Sequence, residues 1–240
     1  MTAEPMNHVP LSLSDDVVEP LYARDPNTGA RLHDDDLDAL ADALRQARGQ
    51  AEQVLALSNA LKADPTKSPG AVALTLREKG LKAGERAAHT LDQARNRLAA
   101  TVARLSAETA APLPARDAGA MMLEGEIRAA LARMTARDRS AAISQAFEDG
   151  EDAVIGAMLR GPALLSGLGT DQQRMLQDRY RNERHPREAD RIARLTKALE
   201  GLERGAVSLV GFTDAITTTP QAIRAEEAAE RTERALASFK

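Results

Sequence analysis

The chain has 240 residues, a net charge of −4, no Cys, no Trp and only 2% aromatic side chains. Its length suffices for one or two domains with a real core, and the missing Cys excludes disulfides, thiolate metal sites and Cys nucleophiles. The small negative charge argues against wholesale coating of nucleic acid, and no run reaches the roughly 18 apolar residues of a membrane span.

Alanine supplies roughly a fifth of the residues, a helix-favouring composition. The core must then come from Leu, Ala, Ile, Val and Met. A buried Leu contributes about 1.5–3 kcal/mol and an Ala methyl about 0.8. Ala-rich helix pairs must therefore be long or find partners.

Residues 1–33 carry Pro5, Pro10, Pro20 and Pro26 and the turn-like run Asp25-Pro26-Asn27-Thr28-Gly29. Prolines at this density deny a long helix. Val17, Val18, Leu21 and Tyr22 are too apolar for a wholly solvated tail. The expectation is an irregular, extended arm docked on its own body or on a neighbour; a disordered leader is the alternative. The first sixteen residues lack a basic opening and an apolar stretch, so no secretory signal is read.

Asp34, Asp35 and Asp36 suit the positive end of a helix as cap and first-turn charges. Leu37, Leu40, Leu44, Ala47, Ala51, Val54, Ser58 and Leu61 follow in a strict 3-4 rhythm, predicting a helix-packing interface along one face. Pro65 ends that helix. Ser68-Pro69 opens a short helix to Gly80, and Leu81, Ala88, Leu91, Leu98, Val102 and Leu105 outline another. The simplest assembly is an antiparallel hairpin over 34–111 with 63–80 as its turn. Pairing with another chain is the alternative.

The run Ala111-Pro-Leu-Pro-Ala-Arg-Asp-Ala-Gly119 reads as a linker over 112–119 and a domain boundary. Shorter helices of a bundle follow over 120–216. Met122, Ile127, Ala130, Leu131 and Met134 make one face; Thr135 starts a second helix that closes at Gly150. Val154, Ala157 and Met158 belong to a third, stopped by Gly161-Pro162. Thr170 with Gln173 reads as a capping box, and His185-Pro186 separates that helix from the next. Arg187–Phe212 reads as the organising helix, with Ile192, Leu195, Leu199, Leu202, Ala206 and Leu209 as its stripe. A last helix over 217–240 bears Ile223, Ala229, Leu236 and Phe239. No alternating strand pattern is found, so the predicted fold class is all-α: helical hairpin, multi-helix bundle and irregular arm.

Chemistry is sparse. His8, His33, His89 and His185 are scattered, with no metal-ligand spacing. Gly167-Leu-Gly169 lacks a preceding strand and a Lys-Ser/Thr pair, so it reads as a turn rather than a phosphate cradle. Glu124 and Glu126 point to different helix faces, which defeats paired acid/base work. No catalytic, cofactor or metal site is assigned, and few aromatics leave little wall for a substrate pocket. One charge bias stands out between Arg174 and Lys197. Arg184, Arg187, Arg191 and Arg194 are the candidate contact there for nucleic acid or an acidic partner protein; a solvated, ion-paired face is the alternative. No aromatic platform accompanies them.

Over 126–204, the succession Glu126-Ile-Arg, the run from Ala153 to Leu168, and Tyr180 with His185-Pro186 resembles uncharacterised helical proteins encoded in bacteriophage and prophage regions. The resemblance implies a phage setting, with virion assembly as a role, and brings no catalytic residues. The resulting expectation is a non-enzymatic structural or assembly protein acting through helix-mediated protein contacts or self-association. Its place is the host cytoplasm or a phage particle. A nucleic-acid-associated helical adapter using the arginine face is the second reading.

Overall fold

The computed structural model describes residues 8–114 and 117–238. The fold is all-α, with no named strand among those residues. The helices are α1 (Asp35–Ala63), α2 (Pro69–Glu108), α3 (Ala118–Arg133), α4 (Ala136–Asp149), α5 (Asp152–Arg160), α6 (Thr170–Arg184), α7 (Pro186–Thr217) and α8 (Pro220–Ala237). Contacts divide the chain into one unit of Met1–Ala100 with Arg194–Lys240 and another of Thr101–Ala193. Both cuts fall inside helices, α2 and α7, rather than in the expected linker at 112–119. Ala115 and Arg116 of that linker, the first seven residues of the arm and Phe239 of the last helix lie outside the described residues.

In the first unit, Asp34 caps α1 by accepting the Asp36 N–H at 3.1 Å. All eight stripe positions from Leu37 to Leu61 are buried. Asp36 pairs with Arg97 at 2.9 Å, Val54 lies under Gly80, and Leu61 shares a cluster with Leu76. These contacts advance along α1 as they retreat along α2. The expected turn over 63–80 shrinks to residues 64–68, because α2 is one helix of 40 residues running through Gly80. Gly80 does not break it for a packing reason: a Cβ there would collide with the Thr217 methyl of α7. At Gly84 a Cβ would stand 2.7 Å from Thr213 Cγ2. Leu81, placed on the expected stripe, is exposed instead, and Ala83 and Ala87 occupy the seam.

The seam of α7 is also rotated from expectation. Leu195, Ala198, Leu202, Gly205, Leu209 and Phe212 are buried, whereas Leu199 and Ala206 are only partly so. Gly205 sits there because the arm crosses it, with Ser12 O 3.0 Å from where a Cβ would stand.

The arm docks on this same chain and is not extended. It forms three single 3-10 turns, Leu11–Leu13, Asp15–Val17 and Glu19–Leu21, that bury Leu13 and Val18 completely. Tyr22 Oη donates to Asp38 at 2.6 Å, and the Arg31 guanidinium stacks on the Tyr22 ring at 3.6 Å. The Tyr22 hydrogen bond, with help from Arg31 and His33, holds the Asp38 carboxyl below its usual range.

In the second unit the nine-residue α5 is buried from Ile155 to Leu159. Its Ile155 and Met158 share a buried cluster with Leu131, Ile143, Phe147 and Tyr180. Thr135 caps α4 and Gly150 ends it in a left-handed conformation. The expected Thr170/Gln173 box is not formed: Gly169 is the cap, its N–H donating to Gln172 Oε1 at 3.0 Å. Gln173 instead crosses to α5 and donates to Met158 O and Gly161 O at 2.8 and 2.7 Å.

Two stability tests follow. Gly→Ala in an open helix stabilises by about 0.5–1 kcal/mol, so Gly49→Ala, with nothing near its missing Cβ, should gain that much. Gly80→Ala should reverse the sign and destabilise by about 1–3 kcal/mol through overpacking; urea unfolding followed at 222 nm reads both. Asp38's folded pKa lies below its unfolded value, so its contribution is present above about pH 4 and lost as pH falls through the lowered value. The stability deficit of Tyr22→Phe should therefore be full at neutral pH and narrow on acidification below pH ~4.

Candidate functional site

The predicted packing residues Leu37, Leu40, Leu44, Ala47, Ala51, Val54 and Leu61 are all buried inside the first unit. Their face is occupied by the chain itself and is not on offer to another molecule. Of the candidate arginines, Arg184 ends α6 and Arg187, Arg191 and Arg194 lie on α7. Arg184 stands 3.9 Å from Asp152, Arg187 is exposed, and Arg191 and Arg194 are half-buried and engaged. The division between units falls between Arg191 and Arg194. Their neighbours are used for structure. Arg181, only 12% exposed, donates to Thr109 Oγ1 at 2.8 Å and Ser106 O at 3.1 Å. Arg179 pairs with Glu183 at 2.7 Å and covers the Phe147 ring. A phosphate-binding face needs unengaged cations, and Arg179, Arg181 and Arg184 stand beside carboxylates.

The second unit instead contains a cleft of about 520 Å³. Glu108, Ala111, Pro112 and Leu113 form one wall; Ala120, Leu123 and Glu124 of α3 form another. Asp152, Ala153, Arg160, Tyr180 and His185 complete it. Arg160 is the organising residue. It donates to Pro112 O at 2.6 Å and Leu113 O at 2.9 Å, and its other nitrogen pairs with Glu124. Arg128 meets the second oxygen of Glu124 at 3.5 Å and donates to Ala157 O at 3.2 Å. Gly156, one turn before Arg160, leaves the space its guanidinium fills; a Cβ would collide with it.

Glu124 lies between two guanidiniums, one on each oxygen, and so ties α3 to α5. Tyr180 has its pKa raised, first by burial and then by the Asp152 charge, so its phenol keeps its proton at neutral pH. His185 meets Tyr180 edge to face, with centroids 5.6 Å apart. Among the described residues, no group of three or more His, Cys, Asp or Glu converges to hold a metal. No helix there is long and apolar enough to cross a membrane.

The flank of the cleft is apolar and uncovered. Leu113 is 82% exposed, and Met121, Met122 and Leu123 on α3 are 58%, 71% and 49% exposed. Leu164 and Leu165 are exposed on the short 3-10 turn that packs against α3. Met122, expected on a bundle face, is exposed, and Arg160 carries no motif that marks it in the sequence. An Arg four residues after a Gly, on an otherwise apolar helix, was the available signal. No family model matches the chain, and no match is found among curated proteins or solved structures.

Breaking a buried ion pair from one side strands the other charge. Arg160→Met should therefore cost about 3 kcal/mol in chemical denaturation, at the low end for such pairs because Arg128 remains. Arg187→Ala, on an exposed surface, should stay within about 0.5 kcal/mol.

Proposed function

We propose that this protein works by protein contact rather than catalysis. Its contact surface is the flank of the second-unit cleft, where Leu113, Met121, Met122 and Leu123 receive the apolar face of a protein partner. The exposure of these four side chains beside a cleft carries the reading. Elsewhere the stripes of α1, α2 and α7 are buried within the chain. Methionines suit such a surface, because an unbranched, polarizable side chain adapts to its partner's shape. Clustered exposed apolar groups mark interaction sites. The phage setting implied by the resemblance over 126–204 gives this contact a role in particle assembly, as a scaffold or connector-associated component.

The test joins cross-linking to sedimentation. A photo-reactive residue in place of Met121, exposed on the same surface, should cross-link to a protein partner or to a second copy in the producing cell. Leu113→Asp/Met122→Asp should abolish the adduct while thermal stability changes by less than about 0.5 kcal/mol, as for other exposed substitutions. A strictly monomeric mass with no adduct sinks the proposal. So does salt-steep binding to DNA that is lost on Arg187→Glu while the adduct is unaffected by Leu113→Asp/Met122→Asp.

A further inference from the structure

The first unit has a cavity of its own, of about 360 Å³, where α1 and α7 finish and α2 and α8 begin. Its walls are aliphatic: Leu55, Leu61, Val72, Ala73, Leu76 and Ile216. The expectation that an aromatic-poor chain builds no such pocket is therefore not met, since branched aliphatic side chains supply the wall. Leu61 and Leu76 belong to the buried cluster continued by Val54 and Ala83, so the cavity is the open end of the helix core itself. Its volume lies within the ~300–1,000 Å³ span of small-ligand sites.

The mouth has a different character. Asn59, Lys62, Asp64, Lys67 and Gln221 line it. The Asp64 carboxylate is turned into its own loop, accepting the Thr66 N–H at 2.9 Å and the Thr66 hydroxyl at 2.6 Å. Two ammonium groups thus stand against one carboxylate that is already engaged, leaving the mouth cationic. Helix dipoles do not cancel that surplus, because two helix C-termini and two N-termini meet here and offset one another.

We propose that this cavity binds a free fatty acid, its acyl chain among Leu55, Val72, Leu76 and Ile216 and its carboxylate at Lys62 and Lys67. A wall without rings offers no stacking to a flat aromatic ligand, whereas a flexible methylene chain makes dispersion contacts with branched side chains throughout. The carboxylate stays at the wet mouth, where Asn59 and Gln221 add amide donors and no charge has to be buried.

Calorimetric titration of the full chain with hexanoate, octanoate, decanoate and dodecanoate tests this. Affinity should rise roughly fourfold per added methylene until the cavity is full, then level off. Decanol and decyltrimethylammonium should bind at least tenfold more weakly than decanoate. Lys62→Glu/Lys67→Glu, at two exposed positions, should keep its helical circular dichroism and lose the preference for carboxylate. Ala73→Phe should block every chain length. Absence of binding, equal binding of the three head groups, or decanoate affinity unchanged in the double lysine variant would each overturn the proposal.

Discussion

The fold of the first unit rests on how closely α2 and α7 approach. A chain with so few rings cannot fill wide gaps, so its helices must draw together until small groups touch. Gly80 and Gly84 let the Thr217 and Thr213 methyls lie against the α2 backbone. The Thr217 hydroxyl donates back to Thr213 O at 2.7 Å, so this fully buried side chain leaves no donor unsatisfied and presents its methyl to the glycine. One turn-pair earlier on α7, Gly205 does the same for the arm. Three glycines thus set how closely α7 approaches α2 and the arm.

That dependence explains what could be read from the residues and what could not. The α1 stripe was legible in full, because Leu37 to Leu61 carry the seam in residues that are apolar or small, with no glycine among them. Caps and stops were legible where one residue does the work: Asp34, Thr135, Gly150. The α2 and α7 seams were legible at Leu91, Leu98, Leu105, Leu195, Leu202 and Leu209, but not where their closest contacts fall on Gly80, Gly84 and Gly205, which have no side chain to register as apolar. A glycine within a helical pattern looks like a stop and was here a contact point. The arm's docking was half legible: Val18 and Tyr22 announced burial, but the Gly205 track that receives Ser12 lies nearly 200 residues away.

The candidate site was least legible of all. Its parts come from α3, α5, α6 and the stretch after α2, and nothing in the spacing of Glu124, Arg128 and Arg160 announces that they meet. The arginine-rich stretch drew notice through its charge count, yet a count takes no account of geometry. Arg181 reaches two oxygens near the end of α2, Arg179 lies over Phe147, and Arg184 stands near Asp152. Surplus charge along a chain becomes a functional face only when folding leaves it unengaged.

Arg160 connects the buried interior of the second unit to its outer surface. Apolar residues in place of both Arg160 and Glu124 could pack as well, since a buried ion pair rarely stabilises more than hydrophobes of equal volume. The particular contribution of Arg160 is directional. Pro112 sits in a segment that no helix or strand pairs with, so its carbonyl and that of Leu113 need donors from elsewhere. The guanidinium supplies both from α5, with Glu124 fixing it from α3. With those carbonyls turned inward, the Leu113 side chain is left outward and uncovered. A purely apolar contact would let this segment slide; hydrogen bonds of fixed geometry hold it in one place. The same three residues that consolidate the core therefore fix the position of an exposed leucine on the contact surface.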